Sequence, residues 1–321
     1  VVTPGTVIEE NLVDMNSHNF VASVCEEQDF YACLLDISTG ESYAFVRKNW
    51  EQIFDLFQKN GITQLLVPEQ QDWVLRMAPI KKRMPSLFIE TLPDWYFHKE
   101  EAQEQIKRLF KVAYLDFLEL PTPAQTLYGA VLKYLENQFM TAVDHFRPPT
   151  LIREQTTLWM DYATIDHLNL IHRESGSAGT SLYDIMNETA TPMGSRLLKR
   201  WILFPLREVS EIEKRLDRVD ILLSDSSRME TLRGHLARYF DLERIASRIS
   251  YGKANPKDLA GLRQSLSDIP FLNEVLEAYE DPKGAIPRPE ALSELLNLLE
   301  SSLQENPHRI VGEGEVIREG F

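Results

Sequence analysis

Apolar runs of strand length, separated by turn residues, fill the first third of this 321-residue chain and all but disappear beyond about residue 120. A single layered core does not explain both textures, so the chain divides into a strand-rich part and a helix-rich part. Residues 19–25, 30–37 and 42–46 read as three strands, with Ser38-Thr39-Gly40-Glu41 as a hairpin turn between the last two. Trp50, Ile53, Phe54 and Phe57 follow at helical spacing, and Gly61 is placed to end that helix. Strand and helix then alternate, with a strand over 62–67, a short helix over 69–77, a strand over 86–90 and a helix over 99–112. An antiparallel meander followed by such alternation predicts a mixed-sheet α/β domain like ribonuclease H over residues 1–120.

Residues 121–321 predict a second, mostly α-helical domain. Thr122-Pro123, Thr191-Pro192 and Asn255-Pro256 each set a capping side chain before a proline at the first helical position. Further helices are expected over 210–223, 226–239, 241–251 and 290–303. Hydrophobic residues make up 43% of the chain and charged ones 26%, enough apolar surface for two cores. Cys25 and Cys33 are too few for a disulfide framework, which points to a reducing compartment. With no apolar run near the ~20 residues of a membrane span and no signal-peptide pattern, a cytoplasmic protein without a membrane partner is expected.

The net charge of -15 opposes a phosphate backbone, although residues 196–263 carry 15 Lys and Arg against 10 Asp and Glu. Glu213 and Asp217 alternate with Arg215 and Arg218, and Asp241 with Arg244 and Arg248, so these read as salt-bridged helix faces. No catalytic, cofactor-binding or metal-ligating set emerges. The one Gly-Lys, Gly252-Lys253, is followed by Ala254 and lacks the earlier glycine of a phosphate-binding loop. Gly176-Ser177-Ala178-Gly179-Thr180 has no lysine and reads as a turn. His167 and His172, five apart, miss the spacing of ligands on one helix face, while Asp161 reads as an N-cap. Asp36 on the second strand and Glu69 after the fourth admit an alternative, a metal-dependent nuclease of ribonuclease H type, although Asp36 also suits a turn-initiating role.

Ser181-Leu-Tyr-Asp-Ile-Met-Asn-Glu-Thr-Ala-Thr-Pro-Met-Gly-Ser-Arg-Leu-Leu-Lys-Arg-Trp-Ile-Leu-Phe-Pro-Leu206 closely resembles the signature stretch in the core domain of the bacterial MutS family of DNA mismatch repair. Val1-Val2-Thr3-Pro4-Gly5-Thr6 is similar to the start of that family's connector domain, and Met160-Asp161-Tyr162-Ala163-Thr164 to the start of the core. Leu242-Glu243-Arg244-Ile245, Asn255-Pro256-Lys257-Asp258-Leu259 and Val316-Ile317-Arg318-Glu319-Gly320-Phe321 continue the pattern. The resemblance implies a connector over 1–120 and a core over 121–321, acting as a non-catalytic scaffold. It also implies a parent protein that binds mismatched double-stranded DNA as a dimer, uses ATP and magnesium in another domain and recruits MutL. A relative lacking the mismatch-reading domain is a further alternative.

Within the signature, Thr191 caps, Pro192 starts the helix and Gly194 permits close approach. Met193, Leu197, Leu198, Trp201 and Ile202 are expected to form its buried face, leaving Arg196, Lys199 and Arg200 for ion pairs. Glu101, Glu104, Gln105 and Arg108 are expected to present a polar face for MutL docking. Phe88-Ile89-Glu90 matches the string of a mismatch-reading wedge, but on a strand, where no intercalating role is expected.

Overall fold

The computed structural model describes residues 3–6, 14–69, 71–139, 145–153, 155–171, 180–281 and 284–321. The meander forms as β1 (Phe20–Glu26), β2 (Phe30–Asp36) and β3 (Ser42–Arg47). Then come α1 (Trp50–Asn60), β4 (Gln64–Pro68), α2 (Gln71–Arg83), β5 (Phe88–Leu92) and α3 (Lys99–Phe110). Helix α4 (Thr122–Phe139) and a three-residue strand, β6 (Thr150–Ile152), complete the sheet domain. The strand order is β5-β4-β1-β2-β3-β6. β1, β2 and β3 pair antiparallel, whereas β4, β5 and β6 join in parallel, the mixed ribonuclease H-like sheet expected from the sequence.

Strand alternation distributes the sheet's side chains to two cores. Val21, Cys33, Leu35, Ala44 and Leu66 face α3 and α4, against Ile106, Leu127, Val131 and Leu135. Ala22, Val24, Leu34, Phe45 and Val67 face the other way, against Ile53, Phe57 and Trp73 of α1 and α2. Both faces are therefore covered, which explains why the strands read as near-continuous apolar runs. The texture change at residue 120 separates strand-rich from helix-rich sequence without separating the cores. Beyond it, α4 lies in the sheet's own core and β6 lengthens the sheet by pairing with β3.

Two glycines set this packing. Gly40, in the hairpin turn, has φ +74°, and a Cβ there would lie 2.6 Å from the carbonyl oxygen of His145. Gly129 lets α4 approach α3 so closely that a Cβ would meet the Ala102 Cα at 2.6 Å.

The helical region comprises α5 (Tyr162–His167), α6 (Leu182–Met186), α7 (Pro192–Leu203), α8 (Val209–Leu223), α9 (Ser226–Leu236), α10 (Leu242–Ser250), α11 (Pro256–Glu277) and α12 (Ser293–Ser302). The expected caps are in place: Asp161 accepts from Thr164 N, Thr191 from Gly194 N, and Asn255 forms a capping box with Asp258. Its cores are thin. Leu266, Ile269, Leu299 and Leu303 form one cluster, Leu232, Leu272 and Leu276 another, and α8 has no buried residue. Gly129→Ala should lower stability by about 1–3 kcal/mol through overpacking. Gly234→Ala, in α9 with nothing within 4 Å of the added methyl, should raise it by about 0.5–1 kcal/mol. Urea midpoints of the two variants check both signs.

Candidate functional site

The sheet domain and the helices meet along a polar seam. From the sheet side come the chain at 14–18, the β2–β3 hairpin and the segment around His145. From the other side come α7 and α10. Arg196, on α7 and 2% exposed, lies at the centre. Its guanidinium forks onto Asp241, at 2.7 and 2.9 Å, and donates to Glu243 at 2.7 Å and to the Met15 carbonyl at 2.9 Å. Burial opposes its charge, but the hydrogen bonds to Asp241 and Glu243 outweigh burial and hold it protonated, above its ordinary value. Arg244 of α10 donates to the Asp14 and Ser17 carbonyls at 2.7 and 2.8 Å. Two helices thus grip the turn at residues 14–17.

The hairpin is held by the same helices. Ser247 Oγ donates to the Ile37 carbonyl at 2.5 Å, and the His145 ring also reaches that oxygen at 3.2 Å. Arg200 donates to Tyr43 Oη at 2.6 Å and stacks over the Tyr43 ring at 4.1 Å. Tyr251 of α10 enters the sheet core, 4.4 Å from the Phe139 ring. Asp36 is completely buried and accepts from the Ser38 amide and hydroxyl at 2.8 and 2.7 Å, with the His18 ring 2.8 Å away. Burial pushes its carboxyl up, yet the His18 and Ser38 contacts prevail and hold it below the ordinary carboxylate value.

This geometry does not bring together the two carboxylates of the nuclease alternative. Asp36 pairs with Phe20 at the start of β1, while β4 runs parallel to β1 and carries Glu69 past its far end. The two carboxylates are on the order of 20 Å apart along the strands. Among the described residues no group of three His, Cys, Asp or Glu converges on a metal site. His172 and most of the 176–180 loop lie outside the described residues. Phe88 lies on the edge strand β5, and Glu90 is occupied by Gln64 and Tyr134.

The signature helix is turned differently from expectation. Leu197 and Trp201 are exposed, at 46% and 38%, Met193 and Leu198 are half-buried, and the buried residues are Ser195, Arg196 and Leu203. The apolar stripe was the wrong guide because α7 meets its neighbours through charged groups; the Trp201 ring is covered by Arg215 at 3.9 Å. Gly194 has space for a cap: a Cβ would sit 3.2 Å from Thr191 Oγ1. On α3, Glu101 pairs with Lys133 at 2.7 Å, while Gln105 and Arg108 both bind Glu136. Only Glu104 of the four expected docking residues is exposed without a tie to α4. Sequence reading missed His18, Tyr43 and Ser247 as seam residues. It paired Asp241 with its helical neighbours, and nothing local marks a partner 45 positions away.

Beside the seam, between α1 and α7, lies Lys59, 2% exposed. Its ammonium has no hydrogen-bond partner among the described residues and sits 4.1 Å from the Phe204 ring centroid and 5.7 Å from that of Trp159. Burial, and then the neighbouring Arg47, pull its pKa from 10.5 down to about 7, with Asp55 opposing in part.

Fold and seam define a ribonuclease H-like sheet domain joined to a helical region by buried arginines. Sequence models described as MutS domain II and MutS domain III match residues 19–147 and 163–319. The DNA mismatch repair protein MutS of Pseudothermotoga lettingae is 38% identical over 322 residues, and those of Thermotoga neapolitana and Petrotoga mobilis are each 33% identical, over 321 and 323 residues. Each alignment covers 100% of this chain but only 38% or 39% of the relative's length. The chain belongs to the MutS family and carries its domains II and III, the connector and core. Among the described residues no helix is long and apolar enough to cross a membrane.

Arg196→Met strands the Asp241 carboxylate in the buried seam and should destabilise by about 3–5 kcal/mol, with Asp241→Leu added in the same chain recovering most of the loss. Equilibrium urea unfolding of the two variants tests this. Asp36, with its folded pKa below the unfolded value of about 3.9, stabilises fully above that value and progressively less as pH falls through the folded one. Asp36→Asn should flatten that part of the acid-unfolding curve. Lys59 has the opposite sign: its folded pKa lies below its unfolded one, so stability falls as pH drops from about 10.5 to about 7 and is level below. Lys59→Met should therefore raise stability at neutral pH by about 1–4 kcal/mol, and the gain should fade in alkaline buffer.

Proposed function

We propose that this segment is the relay of a mismatch-recognition protein, carrying conformational change between the connector and core and having no catalytic site of its own. The supporting observation is the seam, in which buried Arg196 and Arg244 hold the turn at 14–17 while Ser247 and Arg200 of the same two helices hold the β2–β3 hairpin. A contact set of this kind is directional and short-ranged, so it favours one arrangement of the two domains or a discrete alternative over gradual sliding. The parent protein's activities follow by family membership: binding mismatched double-stranded DNA as a MutS dimer, with ATP and magnesium handled in a domain other than these two. In the full-length protein carrying this segment, Tyr43→Phe removes the hydroxyl shared by Arg200 and Glu41 while keeping the ring. Mismatch binding should persist and ATP-induced release from the mismatch should slow about tenfold; release at the normal rate would contradict the relay.

MutL docking on α3 is part of the same proposal. Glu104 is the exposed residue of that face, and Glu101 and Arg108 remain more than half exposed while tied to α4. Tyr114 and Phe117, 77% and 46% exposed, supply apolar surface at the end of the helix. Glu104→Lys should weaken MutL binding to this chain about three- to tenfold in a titration, and an unchanged affinity would move the dock elsewhere.

A further inference from the structure

A cavity of about 680 Å³ opens between α1, the β1 and β3 ends of the sheet and α7. Lys59 and Arg83 enter its wall from the sheet domain, and Arg196, Lys199 and Arg200 enter from α7; Arg83 is also paired with Glu51 at 3.7 Å, and Lys199 donates to Ser17 Oγ and lies near Asp14. Among the described residues of that wall there is no Asp or Glu. The Asp241 and Glu243 carboxylates nearby are occupied by Arg196. Among the described residues Arg200 forms no direct ion pair; its polar partner is the Tyr43 hydroxyl, which itself donates to Glu41. Lys59 Nζ has no hydrogen-bond partner among the described residues.

Like charges gathered around an internal space repel one another, and a buried ammonium without an acceptor is destabilising. An anion in the space would answer Lys59, and with it Arg200. The volume falls in the range of small-molecule sites and is too confined for a nucleic-acid duplex. Lys59 and Arg200, the two cations here without a direct carboxylate partner among the described residues, together call for more than one negative charge, which a diphosphate supplies and a single carboxylate does not. Phe20, Tyr43, Phe45 and Phe204 also line the cavity and can pack against an apolar or aromatic body.

We propose that this cavity is a binding site for a small phosphate-bearing molecule, with Arg200 hydrogen-bonding the phosphate and Lys59 supplying a charge from the wall. The ligand bridges the domains, because its cations come from α1 and the end of α2 on one side and from α7 on the other. Occupancy therefore stabilises the closed seam by mass action. The site stands on its own geometry, whether or not the segment acts as a relay.

The charged groups nearest Lys59 are Arg47 on β3 and Asp55 on α1, while its neighbours before α5 and after α7 are the uncharged rings of Trp159 and Phe204. An incoming anion favours the protonated lysine, so its contribution to binding grows on the acid side of its pKa of about 7. Calorimetric titration of the 321-residue chain with inorganic pyrophosphate, and separately with a nucleoside diphosphate, tests the proposal. One molecule should bind per chain, and Arg200→Gln and Lys59→Met should each weaken binding about tenfold or more. The difference between wild type and Lys59→Met should be larger below pH 7 than above it, a comparison in which the ligand's own ionisation cancels. Tighter binding of the nucleoside diphosphate would add recognition of its body by the aromatic wall; equal binding would assign the site to the phosphates alone. Failure to saturate at millimolar pyrophosphate, or an affinity that neither substitution alters, would overturn the proposal. Lys59→Met removes an unpartnered buried charge, so a folded variant is available for the decisive comparison.

Discussion

The molecule depends on one arginine. Taking a guanidinium out of water is costly, and a buried Arg196 is tolerable only because Asp241, Glu243 and the Met15 carbonyl together answer its two terminal nitrogens. Those partners come from different parts of the chain, two on or beside α10 and one in the segment that leads into β1. Satisfying the arginine therefore fixes α7, α10 and the incoming chain relative to one another. Removing any partner leaves charge exposed to a low-dielectric interior, so intermediate arrangements are disfavoured.

Hydrophobic packing could not do this work alone. The sheet domain has two substantial cores, but the helical region has two small clusters and a helix, α8, with no buried residue. Apolar contacts are non-directional and tolerate small slides, whereas the forked contact between Arg196 and Asp241 and the Ser247 contact with Ile37 specify position. From Arg196 the polar contacts continue through Arg244 to the chain before His18, and from His18 to Asp36 at the root of the hairpin. A displacement of α7 or α10 has a continuous physical path to the sheet, which is what a two-state relay requires.

Much of the fold was legible in the sequence because its signals are local. Alternation placed β1, β2 and β3 to within a residue or two, Gly61 and Gly40 ended a helix and turned a hairpin, and Thr191, Asp161 and Asn255 capped helices as their side-chain chemistry requires. The membership of α4 was not legible, since a helix reads the same whether it packs on a sheet or on other helices. Nor was β6, whose three residues are too short for any periodicity. The seam was the least visible part. An arginine beside an apolar stripe reads as solvated, and only the distant Asp241 makes it a core residue. Lys59 likewise reads as the exposed end of an amphipathic helix until Phe204 and Trp159 close over it.

Amide hydrogen exchange on the Arg196→Met chain addresses the central claim most directly. If Arg196 ties the domains together, protection should fall at α7 and α10 and also across the β2–β3 hairpin from Asp36 to Ser42, where the substituted side chain makes no contact of its own. The α3–α4 side of the sheet should keep its protection. Loss confined to α7 and α10, with the hairpin as protected as in the wild type, would contradict the claim that this arginine couples the two domains.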